Sequence, residues 1–167
     1  MTFPEPEFEA FFHAHYDQLV RSLTLITGSR ETAQDCVQEA FIKASIRWRK
    51  VRRYDNPVGW VRRVAINQGR DVHRSSQRRR RRESLDRPTP EQDHAPDVAG
   101  ELRLLELLAA LPLQQRSAAA LFYIDDLPIA DIAEDLGISV GAVKFHLNQA
   151  RRSLRLAMDA EGHHHGR

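Results

Sequence analysis

The stretch from Leu127 to Arg155 reads LPIADIAEDLGISVGAVKFHLNQARRSLR, and its spacing predicts two helices joined by a tight turn. Ile129, Ile132, Ala133 and Leu136 fall at i, i+3, i+4 and i+7, which gives a first helix one apolar stripe. Pro128 suits the first turn of that helix, Gly137 supplies the positive φ that ends it, and Ser139 caps the next. The connection is a turn of about three residues, the spacing of a helix-turn-helix. In the second helix Val140, Val143, Leu147, Ala150 and Leu154 share a stripe that packs inward. Gly141, Ala142, Phe145, Asn148, Gln149 and Arg152 then lie on the opposite side. That side is suited to a DNA major groove. Its small residues permit close approach, Asn148 and Gln149 offer bidentate contacts to adenine, and Lys144, Arg151, Arg152 and Arg155 reach phosphates. A plain helical hairpin with a solvated basic face would share the charge, but not the agreement of turn, caps and stripe.

Away from this segment, charge is strongly segregated. The 167-residue chain carries a net charge of only +2, yet residues 43–82 hold 15 Lys and Arg against Asp55 and Asp71. The remainder is therefore acidic, which points to a polyanion at one surface and a basic or mixed partner at another. The lone cysteine, Cys36, excludes an intramolecular disulfide and reads as a packed thiol in a reducing compartment. No apolar run approaches the roughly 18 residues of a membrane span. The acidic start from Thr2 to Glu9 is unlike a signal peptide, so a cytoplasmic location is expected.

Pro and acidic residues replace hydrophobic periodicity across Glu83 to Gly100, a linker by composition. Helices are expected before it at Glu7 to Thr27, Arg30 to Arg49 and Pro57 to about Arg78. After it they are expected at Glu101 to Ala110 and Pro112 to Ile124, followed by the helix-turn-helix. With no strand pattern, the reading is an all-α chain of two small helical domains joined by a flexible tether.

Within the first domain, Ala33, Val37, Ala40, Phe41, Ala44 and Trp48 form a core stripe on the second helix. Its other side aligns Asp35, Glu39, Ile42 and Ile46, with Gln38 beside them. A solvated face carries charge without isoleucines, whereas a protein-docking face combines apolar anchors with steering charge. The third helix is the nucleic-acid candidate of this domain. Val58, Trp60, Val61, Val64, Ala65 and Val72 are expected inside, with Arg62, Arg63, Asn67, Arg70, His73 and Arg74 outside. The preceding loop, with Arg47, Arg49, Lys50, Arg52, Arg53, Tyr54 and Asn56, has the inventory for holding unstacked bases of a single strand. Trp48 and Trp60 read as core rather than stacking platforms. The run Arg78 to Arg82 reads as a sequence-blind phosphate anchor or a solvated, partly disordered segment.

These residues resemble the extracytoplasmic-function branch of the bacterial sigma-70 family, the small initiation subunits of RNA polymerase. The resemblance runs from about Phe8 to Met158. It is carried by AQDCVQEAFIKASIRWRKV and DNPVGWVRRVAINQGRD in the first domain, and by LLAALPLQQRSAAALFYIDDLPIADIAEDLGISVGAVKFHLNQARRSLR in the second. It implies a three-to-four-helix bundle of sigma region 2 over 7–82, a linker over 83–100 and a four-helix region 4 domain over 101–159. Asp35, Gln38 and Glu39 match the motif that grips core polymerase, to which the docking face adds Ile42 and Ile46. Asn56, Arg62, Arg63, Asn67 and Arg70 match the part that melts and captures the −10 element, and the basic stripe adds Arg74. Gly141, Ala142, Lys144, Phe145 and His146 match the helix that reads the −35 element, joined by Asn148, Gln149 and Arg152 on the face derived above and by Ser139 at its start. Family members often have Ser-Arg where this chain has Phe145-His146, so its −35 preference is expected to differ.

The partners so implied are core RNA polymerase, promoter DNA and an anti-sigma protein; no cofactor, catalytic residue or metal site is expected. Asp125 and Asp126 lack a third ligand, and His163 to His165 read as a terminal run. The alternative reading, a stand-alone helix-turn-helix regulator, would need a dimer interface or ligand pocket that the first half does not suggest.

Overall fold

The computed structural model describes residues 5–83 and 99–162, and these are helical with short connections. The chain divides into two compact units, at 1–93 and 94–167. The first holds α1 (Pro6–Thr27), α2 (Arg30–Ile46), a single turn α3 (Trp48–Val51) and the long α4 (Pro57–Arg82). The second holds α5 (Ala99–Ala109), α6 (Leu113–Tyr123), α7 (Ile129–Leu136) and α8 (Val140–Gly162). Both sets match the expected all-α architecture. Most of the expected linker, 84–98, lies outside the described residues, as does the His163 to His165 run. Glu83 caps α4 and Ala99 already begins α5, so helix enters the expected linker from its downstream end.

In the first unit α1, α2 and α4 pack on one another. Leu19, Leu23, Ile26, Val37, Val61 and Ile66 lie between them with almost no solvent exposure. The α1 to α2 turn uses Ser29 as its cap, whose Oγ accepts the Thr32 N–H at 3.2 Å. An aromatic cluster closes one end: Phe8 and Phe11 of α1 meet Trp48 at 5.3 and 5.0 Å between centroids, and Phe12 meets Phe41 edge-on at 4.9 Å. Trp48 is buried, as its spacing suggests. It lies beyond the end of α2, however. That helix stops at Ile46 instead of Arg49, because Arg47 leaves helical geometry at φ −110° and ψ 17°.

Helix α4 departs further from expectation. It continues through Arg78 to Arg82 as helix, since arginine is a good helix former and the exposed guanidinium groups are solvated. Its buried side is Gly59, Val61, Arg62, Ala65, Ile66 and Gly69, whereas Val58, Trp60 and Val64 are half-buried and Val72 is exposed. Gly69 lies against Thr27, the last residue of α1; a Cβ there would meet Thr27 Cγ2 at 3.3 Å. Later turns of α4 therefore pass beyond α1, which leaves Val72 without cover.

In the second unit α8 packs on α5, α6 and α7 around Leu121, Ile132, Leu136, Val143 and Leu147. Three consecutive alanines, Ala118 to Ala120, are buried on α6 and let its neighbours come close. Buried Arg116 donates to the Leu111 carbonyl at 3.2 Å, and burial lowers its pKa. Ser117 donates to the Leu113 carbonyl at 2.7 Å. Arg103 of α5 pairs with Glu106 at 3.0 Å and with Glu161 near the end of α8.

Candidate nucleic-acid interface

The helix-turn-helix forms where its caps place it. Gly137 ends α7 in the left-handed region at φ 65°, a conformation glycine adopts without the Cβ penalty. Ser139 Oγ then accepts the Ala142 N–H at 3.0 Å, and its carbonyl accepts the Val143 N–H at 3.0 Å. Val143, Leu147 and Ala150 are buried beneath α8, and Leu154 is half-buried. Val140, expected in that stripe, is 42% exposed; it is the first residue of the helix, one turn ahead of where burial begins.

On the outer side Ser139, Gly141, Lys144, Phe145, Asn148 and Arg152 are exposed, while Ala142, His146 and Gln149 are half-buried. Phe145 projects with 58% of its surface in solvent and its ring 5.5 Å from that of His146. An aromatic this exposed on a helix's polar side is a candidate contact surface. A Cβ on Gly141 would meet nothing nearer than Ser139 Oγ at 3.9 Å, so the fold itself leaves that surface open. Arg151, expected at phosphates, instead lies across Phe122 and Tyr123, with its Cζ 5.6 and 5.7 Å from the two ring centroids.

The expected residues of α4 are distributed differently. Asn56 caps the helix, its Oδ1 accepting the Gly59 N–H at 2.9 Å. A Cβ on Gly59 would come within 2.6 Å of Asn56 Nδ2, so glycine is what lets the cap fold over the helix start. Asn67 and Arg74 are exposed; Arg63, Arg70 and His73 are half-buried. Burial, and secondarily the Arg74 charge, lowers the Arg70 pKa. Arg62, expected on the outer face, is only 7% exposed. It lies close enough to α1 that its charge, after the larger effect of burial, lowers the pKa of His15.

The expected basic loop is partly helical, since Arg49 and Lys50 lie in α3; Arg52 pairs with Glu7 at 2.7 Å, and Arg47, Arg49, Lys50, Arg52 and Arg53 are all exposed. Tyr54 and Trp60 are both half-buried with rings 6.3 Å apart. The expectation of a core Trp60 is thus only partly met: it flanks Asn56 on the surface of the helix start.

The α2 face is as its spacing suggests. Asp35 and Gln38 are exposed, and Ile42 and Ile46 expose 54% and 78% of their surface. Glu39 is half-buried and 3.7 Å from Lys43. Gln38 Nε2 donates to Tyr16 Oη at 3.4 Å, which extends the face onto α1 through a tyrosine that helix periodicity alone does not single out. Cys36 is buried; desolvation, with a smaller effect of Asp35, raises its thiol pKa, the mark of an unreactive packed cysteine.

Among the described residues no group of His, Cys, Asp and Glu is placed to hold a metal ion, and no helix is long and apolar enough to cross a membrane. Asp126 takes a positive φ of 52° in the α6 to α7 connection, a turn conformation that Asp tolerates.

A helix-turn-helix in one unit and a long basic helix in the other are the architecture of a DNA-binding factor. Comparison with known proteins specifies the kind. The Sigma-70 region 2 family matches residues 11–80, and the Sigma-70, region 4 family matches residues 101–154. The chain is 34% identical over 158 residues to the ECF RNA polymerase sigma factor SigL of Mycobacterium tuberculosis, covering 92% of this chain and 89% of that protein. It is 30% identical to SigM of the same organism over 148 residues, covering 88% of this chain and 74% of SigM. The sigma factor RpoE, solved in complex with the anti-sigma factor NepR from Bartonella quintana, shares the fold. Its TM-score is 0.73 at 20% identity, covering 93% of this chain and 98% of that one. The chain belongs to the ECF RNA polymerase sigma factors of the sigma-70 family, and its function is that of a sigma factor in transcription initiation. The stand-alone regulator is not favoured.

Proposed function

We propose that the two units divide promoter recognition, with boundaries at 7–82, 83–100 and 101–159. The first docks core polymerase through Asp35, Gln38, Glu39, Ile42 and Ile46 and takes hold of the −10 element; the second reads the −35 element through α8. The observation that carries the docking assignment is the exposure of Ile42 and Ile46 beside acidic and amide groups, since two branched apolar side chains in solvent gain free energy on burial by a partner. For the −10 element, Asn67, Arg70 and Arg74 on α4, together with Asn56, Arg63 and the Tyr54 and Trp60 pair, form a basic surface with rings for unstacked bases. Arg62 supports that surface from beneath rather than touching phosphate, consistent with its burial. On α8, Ser139, Gly141, Ala142, Lys144, Phe145, His146, Asn148, Gln149 and Arg152 face the groove, with Phe145 suited to a thymine methyl.

No covalent chemistry by this chain is needed: polymerase forms the phosphodiester bond in the cytoplasm, and this subunit lends it sequence preference. Unstacking a base costs a few kcal/mol, so capture of flipped bases turns thermal opening into a stable bubble. Two weak DNA contacts on one tether act together because the tether sets their effective concentration. An anti-sigma protein covering the Asp35 to Ile46 face would block polymerase directly. A binding partner whose affinity survives Asp35→Ala combined with Glu39→Ala would place it elsewhere.

The test is transcription by purified core polymerase on genomic promoter DNA, with start sites sequenced. Starts that require this protein and are lost in the Asp35→Ala, Glu39→Ala double variant are expected. Unchanged starts in that variant would overturn the docking face.

A further inference from the structure

Arg151 has a different task from the phosphate contact that its position on a basic helix suggests. Its guanidinium lies across Phe122 and Tyr123 at the end of α6, 5.6 and 5.7 Å from the ring centroids, and those two rings meet edge-on at 5.0 Å. Its Nε donates to Tyr123 Oη. Its Nη1 donates to Asn148 Oδ1 at 3.3 Å, one turn earlier on the exposed side of α8. The planar fork is therefore held by α6 and spends one donor on a candidate reading residue.

An arginine has only donors, so the Asn148 atom facing it must be the carbonyl oxygen. The amide NH2 is consequently turned away from Arg151. We propose that Arg151, held by Phe122 and Tyr123, is a positioning residue that presents Asn148 to DNA as a hydrogen-bond donor. This inference rests on the assignment of α8 to the −35 element and names the base chemistry it selects. With one lone pair of its Oδ1 already taken, Asn148 favours an acceptor on the major-groove edge, such as purine N7, guanine O6 or thymine O4. It disfavours cytosine, whose N4 amino group is itself a donor. The bidentate adenine contact expected from sequence becomes one case of a broader preference against cytosine at one position.

The experiment uses the full chain with core polymerase on promoters randomised across the upstream element, at several salt concentrations. Wild type is expected to disfavour cytosine about tenfold at one position, the cost of a single mismatch. Asn148→Ala and Arg151→Lys should each lose most of that discrimination at that position and at no other. Lysine keeps the charge but lacks the planar fork that spans two rings and an amide. Tyr123→Phe, which keeps the ring and removes only the hydroxyl, should give a smaller loss at the same position. The proposal is overturned if Arg151→Lys retains the full preference, or if Arg151→Ala weakens all promoters equally and reduces the salt slope by about one, the signature of a phosphate contact. Wild type without any upstream preference would overturn the −35 assignment as well, and is distinguishable because every variant would then behave alike.

Discussion

Helix α4 buries Arg62 and half-buries Arg63 and Arg70, whereas α8 leaves Lys144, Arg152 and Arg155 in solvent and draws only Arg151 onto a neighbouring helix. Both are basic helices with an apolar stripe, and from periodicity alone their cations look equivalent. What separates them is cover. Helix α4 packs on both α1 and α2 with Arg62 on its buried side, whereas the buried residues of α8, Val143, Leu147 and Ala150, are all apolar. A cation's availability to DNA is thus set by the neighbouring helices rather than by the helix that carries it.

The largest expected effects lie in the two cores. Leu147 is fully buried beneath the exposed side of α8, and Leu147→Ala should cost about 2–5 kcal/mol. Leu23→Ala, equally buried beside α4, should cost about the same. Urea unfolding of the full chain checks both, and a loss well under 1 kcal/mol at either position would contradict the packing described.

Next come the caps, which the two helices build alike. Asn56→Ala and Ser139→Ala should each cost about 1 kcal/mol. Gly59→Ala should match Asn56→Ala, because its new Cβ displaces the same side chain; a double variant no worse than either single one would establish the shared cause.

The difference in cover sharpens into a difference in salt dependence. Arg152→Ala should lower the slope of log affinity against log salt for the upstream element by about one. Arg62→Met should leave the slope for promoter binding unchanged, since a buried guanidinium releases no counterion. An equal drop in both variants would erase the distinction.

The smallest effect concerns His15. Burial and then the Arg62 charge lower its pKa in the folded chain below the ordinary 6.5, so the unfolded chain binds more proton. Stability is therefore full above that value and falls as pH drops from it toward the folded pKa. His15→Gln should flatten this acid limb between about pH 7 and 5 in denaturation midpoints, and Arg62→Met should partly flatten it too.

Much of this was legible in sequence because it rests on local chemistry. The turn at Gly137 and Ser139, the buried stripe of α2 and the Ile42 and Ile46 face all follow from spacing and cap residues, and the structure places them accordingly. Three departures from a one-helix reading share one origin. Arg62, Val72 and Arg151 sit at positions where helix periodicity is right but a second helix decides the outcome: α1 reaches over Arg62, ends before Val72, and the rings of α6 capture Arg151. The Tyr16 contact to Gln38 and the aromatic cluster around Trp48 escape a one-helix reading for the same reason, since their partners are 22 or more residues away in sequence.

The most direct test of the division of labour is selection of open complexes from a promoter library randomised in both elements, using core polymerase with wild type, Phe145→Ser or Asn67→Ala. Phe145→Ser is expected to change base preference only in the upstream block, and Asn67→Ala only in the downstream block. A change in the downstream block caused by Phe145→Ser, or in the upstream block by Asn67→Ala, would contradict the assignment of one promoter element to each unit.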